Sequence, residues 1–262
     1  MSGFDKDWLA LREPADERAR DRQLQDTAIR IIKATVYPTV LDIGCGTGAT
    51  YRALGAGSGA NVRWRLFDHD KSLLAEAKRR HQGKMISFIK GDLSDLSSLP
   101  SDVHTLVTAF AFFDLCSAPY IDGFASQVKD NCRGVYATLN YDGEISWSVP
   151  HRLDGVVNAA FNRHQKSDKG FAPAAGPDAW QVLAGSLTAR GFHVSTAASP
   201  WILSKIDVPL QQAFLGGVVN AVAETREIAE DLLKEWYRFR VDLICEGKCS
   251  CRVGHQDILA VA

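Results

Sequence analysis

What this 262-residue chain lacks already narrows its work. No apolar run approaches the roughly eighteen residues that a membrane-spanning helix needs. Positive charge is not in excess: 30 Lys and Arg face 31 Asp and Glu, a formal net charge of -1 with the signs interspersed. A chain without a basic tail or stripe is poorly equipped to hold a nucleic-acid backbone. Cysteines number six, too few and too unevenly placed for a disulfide scaffold. Cys249 and Cys251, with Cys245 four residues before Cys249, match no common zinc spacing and have no histidine at zinc-finger distance. They read as buried or half-buried thiols, and no metal is expected. The opening MSGFDKDWLA is polar and has no apolar leader. These absences leave a cytoplasmic protein acting on a small molecule, as a monomer or homodimer, without nucleic-acid or membrane partners.

What is present is apolar substance for one core. Hydrophobic residues make up 46% of the chain, enough for a single domain over residues 1–262 with some embellishment. The most informative stretch is residues 40–48, VLDIGCGTG. Val40, Leu41 and Ile43 read as the end of a buried strand. Gly44, Gly46 and Gly48 then allow a tight turn whose bare backbone N–H groups can lie against a ligand. A helix opening at Ala49 adds the N–H groups of its first turn for an anionic end of that ligand. Two nucleotide cofactors compete for such a turn. Gly44-x-Gly46-x-x-Ala49, with Asp68 twenty residues past Gly48, also satisfies the dinucleotide fingerprint. Asp42 separates the two. A carboxylate two residues before the first glycine, expected on the ligand side, repels a pyrophosphate and welcomes a cationic amine or sulfonium.

DIGCGTG, with FDHD after the next strand and GDL after the one following, resembles motif I and its successors in the class I S-adenosylmethionine-dependent methyltransferase family. The likeness spans roughly residues 22–140, and the ends look like a small soluble bacterial-type branch without assigned substrates. It implies an α/β fold: a three-layer α/β/α Rossmann-like sandwich on a mostly parallel seven-stranded sheet with one antiparallel strand, in the order 3-2-1-4-5-7-6. It implies S-adenosyl-L-methionine as cofactor. Asp42, Gly44 and Gly46 fall in the first motif, and Asp68 and His69 at the place that reads the ribose diol. Asp92 corresponds to the acceptor for the adenine amino group, or else is a plain turn aspartate, while Leu93 packs on the adenine ring. A helical segment over residues 1–36 folds over the cofactor. Arg12 and Arg20 are its candidates for the methionine carboxylate, and Arg20 joins the cofactor set; a solvated helix face is the competing reading of both.

Strands are predicted over 62–67, 85–89, 103–109, 135–139, 192–197 and 251–260, with Pro14 breaking or restarting the first helical run. Phe110, Phe112 and Phe113 follow the fourth strand at the carboxyl edge, where open α/β sheets hold ligands, and Phe110 is assigned to the cofactor wall. Asp114 among them needs a partner, as a base or as a helix cap. Tyr141 crosses the same rim and is assigned to the substrate. Residues 142–175 are far longer than a plain crossover. Together with residues 208–246 they are read as cap insertions that choose the substrate. Within the first, His164 is expected to act as base with Asp168 orienting it, and Gln165 and Lys169 to touch the substrate. His255 and Asp114 are the substitute bases. Trp201 turns in over the site. Trp236 and Arg240 lie on an apolar helix face, where Arg240 needs a carboxylate from the protein or from the substrate.

No Asn-Pro-Pro-Tyr or Asp-Pro-Pro-Tyr follows the fourth strand, which disfavours amino methylation of DNA bases or protein glutamine. The expected reaction moves the sulfonium methyl to an O, N or S nucleophile of a small metabolite. The alternatives are an enzyme that cyclises or decarboxylates the sulfonium compound, and a protein that binds it without turnover.

Overall fold

Strand patterns alternating with helical ones bury a parallel sheet under helices on both faces. The computed structural model describes residues 5–82, 85–100 and 103–262. β1 (Thr39–Ile43) lies inside the sheet, flanked on one side by β2 (Arg63–Asp68) and then β3 (Ile86–Lys90). On the other side follow β4 (Leu106–Phe110), β5 (Gly134–Trp147), β8 (Cys251–Val261) and β6 (His193–Ala198). A short β7 (Trp201–Leu203) pairs with the start of β8. The first five strands run parallel, and β8 is antiparallel to β5, β6 and β7. This is the expected order with β7 added, so that β8 takes the place of the predicted seventh strand.

The alternation of a strand sends successive side chains to opposite layers. Val40, Leu66, Leu106 and Leu259 face α2 (Arg22–Lys33) and α3 (Ala49–Ser58), where they meet Ala28, Ile32 and Leu54. Leu41, Val107, Val135 and Ile258 face α5 (Ala118–Val128) and α7 (Ala179–Thr188), against Ile121, Phe124, Leu183 and Leu187. α4 (Lys71–Arg80) starts at Asp70, whose carboxylate accepts from the N–H groups of Ser72 and Leu73.

A third core lies beyond the carboxyl ends of the strands. β5 runs well past Leu139 and stays paired with β8 as far as Trp147 and Cys251. Two register shifts accommodate that length, near Leu139 and Gly143, which adopt φ of 54° and 93°. On this ribbon rest α1 (Lys6–Ala19), α6 (Asp154–Gln165), α8 (Val208–Thr225) and α9 (Glu230–Cys245), burying Ala15, Val157, Val218 and Leu233 together.

Pro14 does not break α1. It sits inside a continuous helix, and the break falls at Arg20, whose ψ of 134° is extended. Asp21 then caps α2 by accepting from the Leu24 N–H. Buried Asp257 secures that junction. It accepts from the Asp21 N–H at 2.9 Å, the Leu139 N–H at 2.8 Å and the Ser199 hydroxyl at 2.6 Å. Among the described residues no helix is long and apolar enough to cross a membrane.

Candidate active site

A cavity of about 860 Å³ opens at the carboxyl ends of β1, β2 and β4. The glycine turn forms one wall. Gly44, Gly46 and Gly48 have φ of 61°, 53° and 84°, and the turn closes through a 2.8 Å bond from the Gly48 N–H to the Cys45 carbonyl. A Cβ at Gly44 would lie 3.0 Å from the Phe112 ring, and one at Gly46 would lie 3.3 Å from Leu9 of α1. The leading helix therefore packs directly on the turn. Ala49, the first residue of α3, also lines the cavity, so the positive end of that helix opens on it.

Asp68 and His69 line the same wall. The Asp68 carboxylate accepts from the Gly46 N–H at 2.8 Å and from the Asp70 N–H at 2.9 Å, one on each oxygen. His69 Nδ1 lies 3.3 Å from the second oxygen. A carboxylate has room for about four donors, so both oxygens keep capacity toward a ligand. Leu93 and Leu73 supply apolar wall, and Tyr120 holds the Leu93 carbonyl through its hydroxyl at 2.6 Å.

Two acidic residues assigned to the cofactor stand elsewhere. Asp42 is fully buried beneath the turn and off the cavity wall. It projects toward the α2–α3 layer, where one oxygen accepts the Thr108 hydroxyl at 2.7 Å and the other has no hydrogen-bond partner among the described residues. Burial pushes its carboxyl up to about 7, against the Thr108 hydrogen bond and the attraction of Arg20. It supports the floor and does not face a ligand. Asp92 is exposed and satisfied within its own turn, accepting from the Ser94 N–H at 2.8 Å and hydroxyl at 2.7 Å.

The two arginines divide differently from the expectation. Arg20 is buried off the wall, donates to the Thr138 hydroxyl at 2.9 Å and lies 4.6 Å from the Phe110 ring centre. Arg12 lines the cavity. Its Nε and Nη2 grip Asp16 at 2.9 to 3.2 Å, while Nη1 donates to no other described residue. Trp201, off the wall, donates from its indole to the same Asp16 at 2.8 Å, and its ring lies 4.9 Å from the Arg12 guanidinium. Burial pushes the Asp16 carboxyl up, opposed chiefly by Arg12. Phe110 does line the cavity, with the Arg12 guanidinium 5.1 Å from its ring centre.

Gln165, Asp168, Lys169, Gly170 and Phe171, from the end of α6 and the segment after it, also line the cavity. The expected pairing of His164 with Asp168 is not made. α6 ends at Gln165, so helical spacing no longer brings residue 168 under residue 164. Asp168 is exposed and accepts the Gly170 N–H at 2.7 Å. His164 lies off the wall, with Nε2 at 2.9 Å from Glu224 of α8 and Nδ1 at 3.4 Å from the Lys169 amine.

The remaining candidates are structural in their surroundings. His255 is buried against the Trp201 and Tyr141 rings, and burial holds it down to about 3, too weak a base for the assigned role. Asp114 is half-buried off the wall with Oδ1 unpartnered among the described residues, and burial pushes it up to about 6. Ser117, not Asp114, caps α5. Tyr141 donates to Asn162 of α6 at 2.8 Å. The carboxylate for Arg240 comes from the protein: Arg240 is fully enclosed, pairs with Asp154, donates to the Val149 carbonyl at 2.6 Å and lies 4.6 Å from the Trp147 ring centre. Trp236 donates to the same Asp154 at 2.8 Å. Residues 208–246 supply none of the cavity-lining residues described, and α8 instead backs α6. The cavity residues missed in the sequence include three on α1: Trp8, Leu9 and Asp16. The spacing of Trp8, Arg12 and Asp16, each four apart, is the signal that one helix face was shared.

Residues 40–133 match the family described as "Methyltransferase domain". Over 90 residues the chain is 31% identical to squalene methyltransferase 2 of Botryococcus braunii, covering 34% of this chain and 24% of that protein. The chain thus spans about a quarter of the length of that relative. Among solved structures, the cyclopropane synthase MmaA2 from Mycobacterium tuberculosis is similar with a TM-score of 0.54 and 14% identity, covering 98% of this chain and 94% of that one. A putative methyltransferase from an antibiotic biosynthesis pathway of Anabaena variabilis gives 0.53 and 13%, covering 94% and 100%. At those identities the likeness is one of fold. The matched segment contains the glycine turn, Asp68 and Leu93, so this part of the cavity wall is what the chain has in common with the family described as a methyltransferase domain.

Proposed function

We propose that the protein transfers the sulfonium methyl of S-adenosylmethionine to an O, N or S nucleophile of a small metabolite. The observation that carries this is one cavity lined by two chemically different sets of residues. The glycine turn, Asp68 and Leu93 form one, and Gln165, Lys169 and Phe171, from the end of α6 and the segment after it, the other, with α1 adding further wall. Its volume, about 860 Å³, is at the upper end for small-molecule pockets, which suits a cofactor beside an acceptor.

The donors and acceptors fit the cofactor. Asp68 keeps lone pairs for the ribose diol, Leu93 and Leu73 offer apolar surface to the adenine, and Arg12 has Nη1 free for the methionine carboxylate. When bound, the cofactor supplies an electrophilic methyl group. The chain's own part is to align the acceptor and keep water away. Trp8 and Leu9 of α1, with Phe112 and Phe171 opposite, do this with apolar surface. A nucleophile that arrives deprotonated needs no base. Six free thiols favour a reducing compartment such as the cytoplasm.

Product analysis tests the assignment. A methylated acceptor with stoichiometric S-adenosylhomocysteine supports it. Release of methylthioadenosine without an acceptor would favour self-reaction of the cofactor, and neither product across a broad metabolite pool would favour a binding protein.

A further inference from the structure

Lys169 differs from the other charged groups on the cavity wall. Arg12 is matched by Asp16. Asp68, Asp70 and Asp168 each accept backbone N–H groups. Half-buried Lys169 has no carboxylate within ion-pair distance among the described residues, and its hydrogen bond is to a neutral acceptor, His164 Nδ1 at 3.4 Å.

The tautomer follows from the other side of the ring. Glu224 is 2.9 Å from Nε2, so Nε2 carries the hydrogen and Nδ1 presents its lone pair to the ammonium. One of the three ammonium hydrogens is then used, and two are left for the cavity. Buried Phe171 and Phe112, their ring centres 5.6 Å apart, put apolar surface on the same cavity wall. An ammonium so placed is stabilised by an anion. Burial pulls Lys169 down, while the Glu224 charge works against that.

Resting on the methyl-transfer reading, we infer that Lys169 selects an acceptor carrying a carboxylate on an apolar or aromatic body, and that His164 and Glu224 are its positioning residues. The small organic acid binds with its carboxylate on the two free ammonium hydrogens and its body against Phe112, Phe171 and Trp8. Gln165 stands on the same wall to take a second polar group.

The test is a set of matched pairs, phenylacetate with phenylacetamide, indole-3-acetate with indole-3-acetamide, and hexanoate with hexanamide, titrated calorimetrically into protein saturated with S-adenosylhomocysteine. At least one acid binds tenfold or more tightly than its amide. Lys169→Met removes the preference and Lys169→Arg keeps part of it, both with unchanged affinity for S-adenosylhomocysteine. His164→Leu lowers the preference several-fold, whereas His164→Asn, with an acceptor near the place of Nδ1, restores most of it. Equal binding of every acid and its amide, binding of no acid, or a preference that survives Lys169→Met overturns the inference. Failure of S-adenosylhomocysteine to bind, seen in the first titration, removes the methyl-transfer reading itself and this inference with it.

Discussion

Asp68 accepts the Gly46 N–H over 2.8 Å, so a carboxylate on the cavity wall also fixes the glycine turn. Removing it withdraws a charged acceptor and loosens the wall together. Asp68→Ala is expected to weaken S-adenosylhomocysteine binding by ~2 kcal/mol or more. Calorimetry on the variant and the parent measures this, with NADH as a control that should bind far more weakly to both. Undiminished affinity in the variant would put the cofactor somewhere else.

Arg12 and Arg20 can be told apart by a ligand without a carboxylate. The parent should prefer S-adenosylhomocysteine to methylthioadenosine. Arg12→Met should erase most of that preference, because the free Nη1 on the wall is lost. Arg20→Met should leave the preference intact, since that guanidinium is spent on Thr138 and Phe110. Loss of the preference in Arg20→Met alone would reverse the assignment.

Arg240→Ala should lower stability by about 3 kcal/mol, because it removes a fully enclosed side chain with its ion pair to half-buried Asp154 and its bond to the Val149 carbonyl, leaving Asp154 with only Trp236 and the His151 N–H. Affinity for S-adenosylhomocysteine should stay within ~1 kcal/mol, as the two sites share no partner. Urea unfolding with calorimetry on the same sample separates these effects. A stable variant with impaired ligand binding would return Arg240 to the active site.

Two buried groups predict how stability varies with pH. Folded Asp42 titrates at about 7, above its ordinary 3.8. Between those values the folded chain keeps a proton that the unfolded chain has released, so stability falls as pH rises from about 4 to about 7. Folded His255 titrates at about 3, below its ordinary 6.5, so stability falls as pH drops through that interval. The two offset one another between about 4 and 6.5 and leave losses on either side. Asp42→Asn should therefore exceed the parent at pH 8 by an amount on the order of 4 kcal/mol at most, and the gap should narrow by pH 5. Urea midpoints at both pH values decide it; parallel curves would mean that Asp42 is not held protonated.

The cofactor wall was legible because its signals are local. VLDIGCGTG and FDHD fall at strand ends that alternation alone locates, and Asp68, Gly44 and Gly46 lie on the cavity as read. Asp42 was misplaced by a matter of parity, since one step along β1 decides which layer a side chain enters. Asp92 accepts from Ser94, two residues away, through one oxygen and is not among the described residues that line the cavity. The errors around His164 and Arg240 have a different origin. Glu224 reaches His164 from 60 residues along the chain, and Asp154 reaches Arg240 across 86. No periodicity reports such meetings. The need of Arg240 for a carboxylate was readable; the source was not. Pro14 hid the face of α1, although the helix continues through it despite the lost N–H and the crowding of the carbonyl four residues earlier.

The ribbon of β5 and β8 has a practical meaning for anyone redesigning this protein. It carries α8 and α9, none of whose described residues line the cavity. Changes on α1 or on residues 165–171 alter the wall itself, one side chain at a time. Changes on α8 and α9 reach it indirectly, through α6 by links such as Glu224 to His164, and through α1, which packs in the same core as α8. A library aimed at new acceptors belongs on the first set. Tags, linkers and solubilising charges belong on the outer surfaces of the second.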